Sequence, residues 1–196
     1  VTRGPGAANA LAGVYIAAQD QTPLVLLVGL PARKMKGLPA FQHIDLVRTF
    51  SALAKNVSIA ESAAALPQRL AFAFRLAVSG RPGPVVLGLP EDVLMETTRN
   101  PASTLAALEP PRASPQHLTE LNSLLAHADR PLVIAGAPLW STQAARDLET
   151  FAERYGLPVA AAFRRQDRLD NTHPFYVGHL GFTPHARLAA AVRDAD

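Results

Sequence analysis

The chain has no cysteine. Disulfide frameworks and thiolate metal sites are therefore excluded. No apolar stretch approaches the ~18 residues that a membrane-spanning helix needs, so a membrane protein of that kind is not expected. Lys and Arg exceed Asp and Glu only slightly, 19 against 16, and they are scattered. No basic run is interleaved with aromatics, which argues against a nucleic-acid partner. Aromatics make up only 6% of the 196 residues, and the weight falls on Ala, Leu and Val. That balance suits an α/β protein rather than a β-sandwich. No signal peptide, internal repeat or initiator Met is visible in the sequence.

What is present reads as alternating helices and buried strands. Gly4-Pro5-Gly6 leads into a helix over about 7–18. Such a lead-in leaves backbone N–H groups free at the helix start, where an anion or polar ligand can be held. Thr22–Leu30 is a short apolar run with Pro and Gly at its ends, which predicts a strand buried on both faces of a parallel sheet. A basic loop follows, "PARKMKGLPAFQHID". Leu66, Leu70, Phe74 and Ala77/Val78 share one face of a helix over about 66–79, with Gly80 placed to cap it. "RPGPVVLGLP" then gives a turn and a second strand, Val85–Leu89.

From Glu91 to Ser114 the periodicity is lost and prolines accumulate, which reads as a surface linker. Structure resumes at Ser114-Pro115, a cap residue with proline at the first helical position. Leu118, Leu121, Leu125 and Ala128 form one helical face. A strand is expected over Pro131–Gly136, a helix over Ser141–Tyr155 ended by Gly156, and a strand over Pro158–Phe163. A last helix is expected from Thr183-Pro184 onward. The fold class is thus α/β, with parallel sheets in doubly wound layers. The division is residues 1–95, a linker at 96–114, and residues 115–196.

Three stretches carry a family resemblance. "TRGPGAANALAGVYIAAQDQTPLVLLVGL", "AFQHID" and "SGRPGPVVLGLPEDVL", in that order, resemble thiamine-diphosphate-dependent enzymes of the acetolactate synthase, pyruvate oxidase and benzoylformate decarboxylase group. "RPLVIAGAPLWSTQAARDLETFAERYGLPVAAAFRRQDRLDNTHPFYVGHLGF" is similar to the central domain of that family. The resemblance implies that residues 1–95 are the later part of a pyrimidine-binding domain. It implies that residues 115–196 are the earlier part of a Rossmann-like central domain. Neither the family's activating glutamate nor its Gly-Asp-Gly segment for Mg²⁺ and diphosphate has a counterpart here. An interior portion of a larger enzyme, inactive by itself, is the expectation.

The resemblance further implies a 2-keto acid decarboxylase or carboligase that uses thiamine diphosphate and Mg²⁺. It implies a cytoplasmic homodimer or homotetramer. Gly4, Pro5, Gly6 and Asn9 would face the cofactor. Phe41, Gln42 and His43 would line the substrate pocket, and Gln42 would stand nearest the chemistry. His43 occupies a position where relatives often carry an acidic residue. The other reading is a non-catalytic nucleotide-binding or structural α/β module.

Some relatives hold FAD or ADP on a glycine-rich turn of the central domain. Here "IAGAPLW" has one glycine, a proline without an N–H, and a bulky Trp140. "GHLGF" likewise puts Leu180 where flavin-binding synthases have His. FAD is therefore not expected. A metal site from His173, His179 and His185 is not expected either, because Gly and Pro break the segment.

Overall fold

The computed structural model describes residues 1–101, 112–138 and 140–196. It divides into two compact units, Val1–Glu109 and Pro110–Asp196. In the first, α1 (Pro5–Gln19) and β1 (Leu24–Leu30) are followed by α2 (Leu46–Phe50), β2 (Asn56–Ile59), α3 (Leu66–Val78), β3 (Pro84–Pro90) and α4 (Glu91–Met95). The strands form a three-stranded sheet in the order β1-β3-β2. Every pairing in it is parallel.

The central strand shows why this unit is doubly wound. Successive side chains of a strand point to opposite faces. Val86 joins Ala7, Val14, Leu46 and Phe50, so α1 and α2 cover one face. Its neighbour Val85 joins Ala73 and Ala77, so α3 covers the other. A strand covered on both sides must be apolar throughout, and "PVVLGLP" is.

The second unit contains α5 (Pro115–His127), β4 (Val133–Ala135), α6 (Thr142–Tyr155), β5 (Val159–Ala161), β6 (Tyr176–His179) and α7 (Ala186–Asp194). Its strands form a second three-stranded parallel sheet, β4-β5-β6. Ala135, Ala152, Val159 and Leu169 are buried together, with Leu148 and Trp140 packed against them. α6 is capped by Ser141, whose Oγ accepts the Ala144 N–H at 3.0 Å, and is closed by Gly156.

Several sequence expectations are corrected. Glu91–Met95 is a helix rather than the start of a surface linker, and Val93 in it is buried. Residues 102–111 of that stretch, including Pro110 and Pro111, lie outside the described residues. On α3 the buried residues are Ala71, Ala73 and Ala77, while Phe74 is exposed. Ala73 and Ala77 pack against Val85 of β3, while Ala71 lies on the side of Leu66, Leu70 and Phe74. The leucine face turns instead toward α4, where Leu66, Leu70, Phe74, Val93 and Leu94 line a groove of 410 Å³. On α5 the face that carries Leu118 and Leu121 is exposed at both residues. The last helix is capped by His185, whose Nδ1 accepts the Arg187 N–H at 3.3 Å, and not by Thr183. Strands β2 and β6 and helix α2 were not anticipated.

Candidate active site

The Gly4-Pro5-Gly6 turn is placed by its lead-in. The Val1 amine donates to the Leu27 carbonyl at 2.8 Å. The Gly29 N–H donates to the Val1 carbonyl at 3.0 Å. These two bonds lay Val1 alongside β1 in extended register. The turn therefore emerges at the carboxyl end of the sheet, where open α/β folds bind ligands. α1 begins there with Pro5 in its first turn and no side chain capping it.

The Phe41-Gln42-His43 loop comes to the same place. Gly4 has φ 46 and ψ −100. A Cβ on Gly4 would lie 2.5 Å from the Gln42 carbonyl oxygen and 3.0 Å from Gln42 Cβ. The two backbones thus touch, and only glycine permits it. Gln42 itself has φ 55, a left-handed conformation uncommon outside glycine. The His43 N–H donates to the Ala40 carbonyl at 3.1 Å and tightens the loop. Phe41 is 79% exposed, and Gln42 and His43 are exposed as well. Asn9 is exposed on α1, about one turn beyond Pro5.

Several charges around this edge are paired. Arg3 Nη1 meets Glu91 Oε2 at 3.4 Å, which ties the glycine turn to the end of β3. Arg33 Nε donates to Asp92 Oδ2 at 2.8 Å, and its main-chain N–H donates to Asp92 Oδ1 at 3.0 Å. Arg33 Nη2 also donates to Glu96. Glu96 Oε2 accepts the Ala63 N–H at 3.0 Å. The Arg33 side chain holds the Asp92 carboxyl below the usual carboxylate range. The Ala63 N–H and then Arg33 hold the Glu96 carboxyl low as well. Sequence reading missed these groups because the cation lay in one "loop" and the carboxylates in another. The signal was their opposite charge flanking two strands, visible only once β1 and β3 are known to be neighbours.

The cradle at Gly4 and Gln42 offers bare glycine backbone, a neutral amide and an exposed aromatic ring, with Arg3 and Arg33 engaged in ion pairs. That donor set fits an uncharged heteroaromatic ring. In the second unit His173 accepts the Phe175 N–H on Nδ1 at 3.3 Å and meets Glu153 through Nε2 at 3.2 Å. Among the described residues no group of three or more His, Cys, Asp or Glu side chains converges as a metal site. No helix of the described residues is long and apolar enough to cross a membrane.

Residues 1–49 match the family model "Thiamine pyrophosphate enzyme, N-terminal TPP binding domain". Residues 118–196 match "Thiamine pyrophosphate enzyme, central domain". The chain belongs to the thiamine pyrophosphate enzyme family. Its two parallel α/β units are those expected of such domains. The chain is similar to acetolactate synthase isozyme 3 large subunit of Escherichia coli strain K12, at 34% identity over 100% of this chain and 35% of that protein. It is similar to acetolactate synthase of Arthrospira platensis, at 30% identity over 92% of this chain and 32% of that protein. A probable acetolactate synthase large subunit of Methanocaldococcus jannaschii is 31% identical over 100% of this chain and 34% of that protein. The chain spans about a third of the length of these curated relatives. The N-terminal family match includes both Gly4-Pro5-Gly6 and Phe41-Gln42-His43, the two segments in contact.

Proposed function

We propose that this chain supplies the aminopyrimidine-facing wall of a thiamine diphosphate site in a 2-keto acid decarboxylase or carboligase of the acetolactate synthase kind. Residues 1–95 serve as pyrimidine-binding domain, 96–114 as linker and 115–196 as central domain. The observation that carries this reading is the backbone contact of Gly4 with Gln42, which makes one cradle from two motifs 38 residues apart.

Thiamine diphosphate with Mg²⁺, when bound, would supply the electron sink that decarboxylation of a 2-keto acid requires. The work of this chain is binding and exclusion. Gly4, Pro5 and Gly6 bring bare backbone up to the ring, and Asn9 adds a polar side chain on the same helix. Phe41 covers the reacting centre against water. Gln42 would offer a hydrogen bond without adding a net charge to the pocket. His43 stands at the rim. The substrate is a small 2-keto acid, the site is completed in a homo-oligomer, and the enzyme works in the cytoplasm.

Calorimetric titration of the complete polypeptide with thiamine diphosphate and Mg²⁺ tests this reading. Saturable heat is expected, together with carbon dioxide release from pyruvate. Absence of heat would favour a structural α/β module and end the proposal.

A further inference from the structure

The turn that follows β4 is closed on itself. Trp140 Nε1 donates to the Gly136 carbonyl at 2.6 Å. The indole also packs against the core of the second unit. The Arg168 guanidinium carbon lies 5.8 Å from the centroid of the Trp140 ring, within cation–π range. Arg168 Nη2 reaches the Ala137 carbonyl at 3.5 Å, and Nη1 donates to Asp167 at 2.8 Å. The Arg168 side chain is only 12% exposed, so ring and guanidinium shield each other from water.

A parallel sheet binds a nucleotide diphosphate at this kind of turn by three means: bare glycine backbone, free N–H groups at the next helix, and open approach. All three are compromised here. Gly136 is followed by Ala137, with φ 64, and by Pro138, which has no N–H. At the start of α6 one donor is already taken, because Ser141 Oγ accepts the Ala144 N–H at 3.0 Å. The approach to the Gly136 carbonyl is covered by Trp140.

We propose that the turn after β4 excludes dinucleotides and flavin diphosphates, with Trp140 as the specificity-determining residue and Arg168 as the positioning residue that holds the indole down. The inference concerns the second unit alone and is independent of the thiamine diphosphate reading. The opposite outcome has a definite location: Arg168 Nε is buried with no acceptor among the described residues, and a phosphate could take it.

The chain has a single tryptophan, so its emission reports this turn alone. The full chain is titrated with ADP, followed by Trp140 emission, and FAD anisotropy is followed against increasing protein. No saturable change is expected up to about 1 mM ligand. Saturable quenching by ADP, or a saturable rise in FAD anisotropy, overturns the proposal. The double variant Trp140→Gly/Arg168→Gln, checked for folding by circular dichroism, is expected to bind FAD at least about tenfold more tightly than the parent, about 1.4 kcal/mol. A folded double variant that binds no better shows that the pair is not what excludes the ligand. Should that variant not fold, Arg168→Gln alone decides the positioning role. A red-shifted Trp140 emission is expected, and unchanged emission refutes it.

Discussion

Arg33 grips Asp92 twice, from Nε to Oδ2 at 2.8 Å and from its main-chain N–H to Oδ1 at 3.0 Å. The first residue follows β1 and the second follows β3, so the pair fastens the carboxyl ends of adjacent strands. The Arg33 side chain lowers the Asp92 carboxyl, and the Ala63 N–H, then Arg33, lowers Glu96. A depressed carboxyl stabilises the fold above its unfolded value, ~4, and loses that contribution as pH falls through the folded value. The urea midpoint should therefore decline on acidification below about pH 4. Asp92→Asn should lower the midpoint at neutral pH and flatten the acid decline. An unchanged acid profile in the variant would show that Asp92 carries none of it.

Gly4→Ala puts a Cβ against a backbone oxygen, which cannot swing aside as a flexible side chain can. The positive φ adds strain of about 1–3 kcal/mol. The Phe41–His43 loop must move. Thermal unfolding should shift down by that amount or more, and the complete polypeptide should lose thiamine diphosphate affinity. Wild-type affinity in a folded Gly4→Ala variant would show that the cradle is not the binding site.

Gln42→Gly separates fold from function at the same contact. Glycine relieves the left-handed strain at φ 55 but loosens the unfolded chain, so stability should change by less than about 1 kcal/mol. Turnover by the complete polypeptide should fall about tenfold, the worth of one hydrogen bond of about 1.4 kcal/mol. Undiminished turnover would remove Gln42 from the site.

Val93 and Met95 lie two residues apart on α4 and should behave oppositely. Val93 is 1% exposed and Met95 is 85% exposed. Val93→Ala removes two buried carbons and should cost about 1.5–2 kcal/mol, cavity included. Met95→Ala should stay within about 0.5 kcal/mol. Equal, small effects in chemical denaturation would return this stretch to the surface linker that its composition suggests.

That contrast marks where the sequence is legible. α1, α3, α5 and α6 announce themselves by period and by caps such as Ser114 and Ser141, because helix bonds are local. β1 and β3 announce themselves as unbroken apolar runs. β2, "NVSI", and β6, "YVGH", do not: each is four residues long and gains its bonds from a partner distant in sequence. The turn and loop of the candidate site were legible as separate motifs. Their contact was not, since it depends on Val1 lying beside β1 and on the path of the chain from Leu30 to Gln42.

Gly88 links the core to that loop. It sits on the central strand, and a Cβ there would meet Leu30 Cδ1 at 2.6 Å and Leu46 Cδ1 at 2.9 Å. Leu30 ends β1 and Leu46 opens α2, so the two leucines bracket the segment that carries Phe41 and Gln42. Both contacts are side-chain ends, which can shift, but both leucines are buried and have little free space. Gly88→Ala should therefore cost about 1–3 kcal/mol, the range for an overpacked core. Its displacement has a direction: α2 is pushed outward, and the Gln42 carbonyl moves relative to Gly4. Amide hydrogen exchange should accelerate at His43 and Ile44 more than in α3, which packs on the other face of the sheet. Uniform acceleration over the whole unit would mean that Gly88 serves global packing alone and does not hold the site loop in register.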